Sequence, residues 1–182
     1  MKRSLRTIAA FGVIAALIAG TSGCAQEEKK ITIAFVMGAE SDPFFQAMKV
    51  GAEEEAAALG VDLIWQGDPT NYNVATQVPI VDNVIAQAPD GLVLIPTDPN
   101  GLQASLDKAI AAGIAVANVD TRVTDLSQTL TFITGDNTDG GTKAAEAIAA
   151  KIGYTDGESY EVVVGLTSAT ATTNVARLEG FQ

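Results

Sequence analysis

The stretch SDPFF, residues 41–45, follows the apolar run ITIAFVMG. Asp42 and Pro43 have the chemistry of a helix start. A carboxylate accepts from the free N–H groups of the first turn, and proline fits the first helical position. Phe44 and Phe45 then fall in that turn, just beyond the end of a strand. A core can take aromatic rings anywhere, whereas a site at the mouth of a sheet needs them here. One ring is expected in the core and one at a ligand, and the spacing leaves open which.

Glu40 and Ser41 follow the same run, and other short polar segments follow other apolar runs. They carry Thr97 and Asp98; Asp120 and Arg122; Asp136 and Asn137; and Thr167, Ser168, Thr170, Thr172, Thr173 and Asn174. Carboxylates and amides of this kind suit a polyhydroxylated ligand. Each hydroxyl both donates and accepts, so an ionised acceptor holds it by a charge-assisted bond. An aromatic face would pack on the C–H face of a pyranose or furanose.

The elements that must position these residues alternate. Short apolar runs, rich in β-branched residues, predict strands at 31–37, 61–66, 91–96, 114–120, 129–134 and 160–166. Helical spacing and glycine stops predict helices over 43–60, 74–88, 102–113, 140–153 and 173–181. Pro79 falls inside the second and implies a kink or a late start. Trp65, within the second strand, reads as core. In DNTDGG (136–141) the residue twelfth from Asp136 is Ala147, not a bidentate Glu, so the segment reads as a strand-to-helix turn capped by Thr138 or Asp139. Strands alternating with helices through short connections imply an α/β fold with a doubly wound parallel sheet. Ligands of such sheets bind beyond the carboxyl ends of the strands.

Residues 1–23 read as a secretory signal: basic Lys2, Arg3 and Arg6, an apolar stretch from Ile8 to Ala19, then small residues before Cys24. Cys24 is the single cysteine, so no intramolecular disulfide can form. Residues 24–30 read as a polar tether. The chain carries 11 basic and 22 acidic residues. That balance excludes a nucleic-acid partner, whose phosphates need Lys and Arg. There is no histidine, which removes histidine acid–base chemistry and histidine metal ligation. No G-x-S-x-G elbow or dinucleotide loop occurs. Nothing in the sequence calls for an enzyme, a cofactor or a metal.

The segments SDPFFQAMKVGAEEEAAALG, DGLVLIPTDPNGL, GIAVANVDTRV, FITGDNTDGG and NVARLEGF, in this order and spacing, resemble the type 1 periplasmic sugar-binding proteins of ABC importers, in particular the ribose-binding type. The resemblance covers residues 31–182. It implies two lobes closing on a sugar, with the first lobe at 31–134 and an incomplete second lobe starting at 135–182. By its length the chain then reads as truncated. The resemblance also implies sugar contacts from Asp42, Phe44, Phe45, Asp120 and Asn174. The arginine that the family places directly after the aspartate is Thr121 here, with Arg122 one residue on. Arg177 falls at a structural arginine of the motif. Ile95 stands where the ribose type has asparagine, and GDPTNYNVATQ (67–77) is similar to rhamnose-type and autoinducer-2-type binders. GTSGC resembles a lipobox in which Cys24 is lipidated, although Thr21 replaces the usual leucine. The expected protein is an extracytoplasmic lipoprotein, in the periplasm or at the cell surface, held to the membrane through Cys24. It would pass a sugar or polyol to an ABC permease. The alternative is a sugar-sensing receptor that reports to a chemoreceptor or kinase. A repressor effector domain is disfavoured by the signal where a helix-turn-helix should stand.

Overall fold

The computed structural model describes residues 29–182; the signal and Cys24 lie outside the described residues. Five parallel strands form one sheet in the order β2-β1-β3-β4-β5. They are β1 (Thr32–Ala39), β2 (Asp62–Asp68), β3 (Gly91–Leu94), β4 (Ala115–Val119) and β5 (Thr131–Ile133). Five helices accompany them: α1 (Pro43–Leu59), α2 (Val74–Ala86), α3 (Gln103–Ala111), α4 (Asn137–Ile152) and α5 (Thr172–Phe181). This is the doubly wound sheet that the alternation implies. The register pairs Thr32 with Asp62, Ile33 with Gly91, Gly91 with Ala115 and Ala117 with Thr131.

Successive residues of a strand point to opposite faces, and β1 shows both sides. Ala34 and Val36, with Leu92, Leu94 and Val116, meet Val81, Val84 and Ile85 of α2 and Leu106 and Ala109 of α3. This is the larger core. On the other face Met37 and Ile95 enclose Phe45 of α1, flanked by Phe35, Met48 and Trp65. Trp65 therefore packs against core as expected, its ring 4.7 Å from that of Phe35.

Helix ends follow the local chemistry. Asp42 caps α1 by accepting from Phe44 N–H at 2.9 Å, with Pro43 at the first position. Gly60 closes α1 in a left-handed turn (φ 69°) that glycine adopts without strain. Helix α2 starts at Val74 and runs through Pro79 without the late start; the proline costs it one backbone donor, which its packed apolar face offsets. Helix α4 begins three residues earlier than predicted and is capped by Asp136, not by Thr138 or Asp139. The N–H of Asp139 donates to the Asp136 carboxylate at 2.9 Å.

The strand expected at 160–166 does not form. A strand needs a neighbour to take its backbone hydrogen bonds, and among the described residues no strand lies beside it. Val163 is 96% exposed there. Helices α4 and α5 pack on each other instead, with their backbones in contact. A Cβ on Gly141 would collide with the Arg177 carbonyl, and one on Gly180 with that of Thr138.

Two buried amides finish the carboxyl edge of the sheet. Gln77 donates to Ile95 O at 2.7 Å and accepts from Thr97 N–H at 2.7 Å. Asn118 donates to Leu94 O and Thr121 O at 3.1 and 2.8 Å, and accepts from Val123 N–H at 2.9 Å. Gln77→Met keeps the volume but leaves a buried carbonyl and a buried N–H unpaired. Each such group costs about 1–3 kcal/mol, so denaturant unfolding should show a loss of about 2 kcal/mol or more.

Candidate functional site

The loops after the strands meet α4 and α5 around a cavity of about 600 Å³. Its size lies within the range of small-molecule sites. Asp42, Phe44, Phe45, Asp120 and Asn174 all line it, drawn from α1, the end of β4 and α5. Phe45 is buried, whereas Phe44 is 47% exposed. The two rings meet edge to face, 5.4 Å apart. The capping bond explains this division. It fixes the first turn of α1 so that one ring points into the smaller core and its neighbour over the cavity.

Asp120 ends β4 with φ 63°, a left-handed conformation that aspartate tolerates better than most residues. Its N–H still pairs with Ile133 O at 2.8 Å. Burial pushes its carboxyl above the usual carboxylate range, against the opposing pull of the Arg177 guanidinium and the Thr121 N–H. A partly desolvated acid beside a charge partner in a cavity is a functional-site candidate.

Asn174 is buried, and its amide N–H groups donate to Thr167 Oγ1 at 2.9 Å and Ser168 O at 3.1 Å. Both donors are thereby committed, which leaves its carbonyl oxygen for a ligand. Arg122 does not enter the main cavity. It lines a smaller one of about 240 Å³ with Asp136 and Thr138, and its N–H donates to Thr172 Oγ1 at 3.1 Å. The arginine that lines the main cavity is Arg177. The resemblance assigns it to a structural arginine of the motif instead; its place at the cavity depends on how α5 turns against α4.

The sequence reading also passes over Tyr72. Its ring lies parallel to that of Phe45, with centroids 6.4 Å apart and planes 3° from coplanar. It lines the cavity beside Asp42 and Asp120. Burial raises its hydroxyl pKa, and the Asp120 and Asp42 charges add to that rise. The available signal is an aromatic residue within GDPTNYNVATQ, the loop after β2. Asp98 serves its own turn instead, accepting from Asn100 and Gly101 N–H at 2.9 and 2.7 Å. Those bonds, Gly101 first and helped by the Thr170 hydroxyl, hold its carboxyl below the usual range.

Residues 33–182 match the family model described as periplasmic binding protein domain. The chain belongs to the periplasmic binding protein family. It is 32% identical over 145 residues to the ribose import binding protein RbsB of Bacillus subtilis, covering 80% of this chain and 46% of that protein. It is 30% identical over 170 residues to the Escherichia coli RbsB, covering 93% and 55%. The chain thus spans about half the length of these curated relatives. Among solved structures it resembles an ABC transporter solute-binding protein from Agrobacterium vitis bound with α-D-tagatopyranose. The match has 41% identity and a TM-score of 0.63, over 68% of this chain and 44% of that one. A second such protein, from Burkholderia multivorans, matches at 31% identity and TM-score 0.73, over 84% and 55%. In this periplasmic binding protein chain the cavity lies at the carboxyl edge of the sheet, where such sheets bind ligands.

The raised pKa of Asp120 has a stability consequence. The folded state holds that proton more tightly than the unfolded chain, so ionising Asp120 costs stability. The cost sets in as pH rises above the ordinary value of 3.8 and is complete once pH passes the raised folded value. Asp120→Asn keeps a residue suited to the left-handed turn and removes the charge. Thermal melts should show the variant more stable than wild type at neutral pH, with the gap closing near pH ~3. A gap that widened toward acid would contradict the burial of this carboxylate.

Proposed function

We propose that this chain is the sugar-binding part of an extracytoplasmic solute receptor that delivers a monosaccharide or polyol to an ABC importer. The observation that carries this reading is the meeting of two carboxylates, Asp42 and Asp120, with the exposed ring of Phe44 in one cavity. Carboxylates take the hydroxyls of a sugar, and the ring takes its C–H face. Relatives named for ribose import, and a D-ribose/D-allose-binding protein of Pseudomonas aeruginosa at 28% identity, support a monosaccharide. The role is capture without catalysis.

In this reading residues 31–134 form the first lobe and residues 135–182 begin the second. A ligand touching both draws them together, because it binds the closed arrangement better than the open one. Cys24 carries the lipid that holds the receptor at the outer face of the membrane, and residues 25–30 are the tether.

Two experiments test the proposal. D-ribose and D-allose titrated into the full chain should shift the amide resonances of Phe44 and Asp120 in a saturable way. Asp120→Ala should weaken the response by about 10–100-fold, the worth of a charge-assisted hydrogen bond of roughly 1.5–3 kcal/mol. Unchanged binding in that variant, or no response to any monosaccharide, would remove the assigned site. In cells, Cys24→Ser should release the protein from the membrane fraction, and palmitate should label only the wild type.

A further inference from the structure

In a sheet ordered β2-β1-β3-β4-β5, connections leave in opposite directions on either side of the gap between β1 and β3, and the crevice above that gap is where ligands settle. Here the crevice is filled by Tyr72. Its ring lies against Gly38, near the end of β1, so closely that a Cβ on Gly38 would come within 2.6 Å of Tyr72 Cε2. Its hydroxyl reaches the carbonyl of Pro96, just past β3, at 3.4 Å. Beside the ring sits Thr97, whose methyl would lie 3.0 Å from the same Cβ. The Thr97 hydroxyl is buried and has no hydrogen-bond partner.

Tyr72 is held there firmly. Before it, the Asp68 carboxylate accepts from the N–H groups of Thr70 and Asn71 at 2.9 and 2.6 Å. After it, Asn73 caps α2 by accepting from Ala75 N–H at 2.7 Å. With two Asx turns fixing the backbone and Phe45 stacked on one face, the ring behaves as part of the wall.

We propose that Tyr72 sets the size of the sugar this chain accepts. Its ring occupies the deepest part of the crevice and confines the ligand to the space between Asp120 and α4–α5. That space favours a pentopyranose over a hexopyranose, which bears an additional exocyclic hydroxymethyl group. Removing the ring opens a pocket floored by Gly38 and by the unpartnered Thr97 hydroxyl, which would accept such a group. The inference rests on the sugar-binding reading above.

The test compares D-ribose with D-allose, which differ by one CHOH unit, on the full chain. Affinities come from amide-resonance titration of wild type, Tyr72→Ala, Tyr72→Leu and Tyr72→Phe. One carbon unit in a fitted pocket is worth roughly 10–200-fold in discrimination. Wild type and Tyr72→Phe should share the same preference ratio. Tyr72→Ala should shift that ratio toward D-allose by about tenfold or more. Tyr72→Leu, which keeps apolar cover over the core, should shift it in the same direction by less. A ratio unchanged in Tyr72→Ala and Tyr72→Leu, both with native amide dispersion, would overturn the proposal. So would a Tyr72→Phe shift as large as the alanine one, because the hydroxyl and not the ring volume would then decide. Failure of the wild type to bind either sugar would instead sink the sugar-binding reading, and this inference with it.

Discussion

All five strands run in the same direction, so all of them end at one edge of the sheet. Each ending leaves backbone donors and acceptors that no further strand pairs, and burying them unpaired would be costly. The chain meets this constraint with two side-chain amides, Gln77 and Asn118, each bonded on both its donor and its acceptor side. An amide can do this and a carboxylate cannot, because it offers N–H and C=O together. The loops after β3 and β4 are thereby fixed in place, and everything that lines the cavity on that side depends on their position.

The cavity in turn carries cost that the rest of the fold absorbs. Asp120 sits in a left-handed turn, with its carboxyl partly desolvated. Tyr72 presses against Gly38. Both place a polar atom or an aromatic face where a ligand would meet it, as preorganised sites require. The larger core under α2 and α3 needs no such features and has none of them.

Opposite this edge stands the α4–α5 pair, joined by close backbone contact at Gly141 and Gly180. It meets the sheet side through hydroxyls: Thr121 and Thr173 lie 3.2 Å apart, and Thr172 accepts from Arg122 N–H. Ile148, Ile152, Val162 and Val164 of this region are partly exposed and Val163 is almost fully so. The sheet side is held by two apolar cores, whereas the far wall of the cavity is held by one helix–helix contact and a few hydroxyl bonds.

The sequence by itself determined the parallel sheet. Continuous apolar runs at β1 and β3 and helical spacing in α1 to α3 each favour one conformation, whatever surrounds them. It also determined Asp42 as a cap, since the cap and its turn are local, but left open which of Phe44 and Phe45 enters the core; the packing of α1 on Met37 and Ile95 decided that. Tertiary structure decided the rest. Residues 160–166 have strand composition but no strand beside them, and a strand cannot exist without its ladder. Arg177 instead of Arg122 faces the main cavity, because the rotation of α5 is set by the glycine contacts with α4. Tyr72 owes its place to Gly38, thirty-four residues earlier, since only contact across the sheet edge can make a loop aromatic into a wall. Local pattern sets what a segment favours, and whether it forms and which side chains then share a cavity follow from packing between segments far apart in the chain.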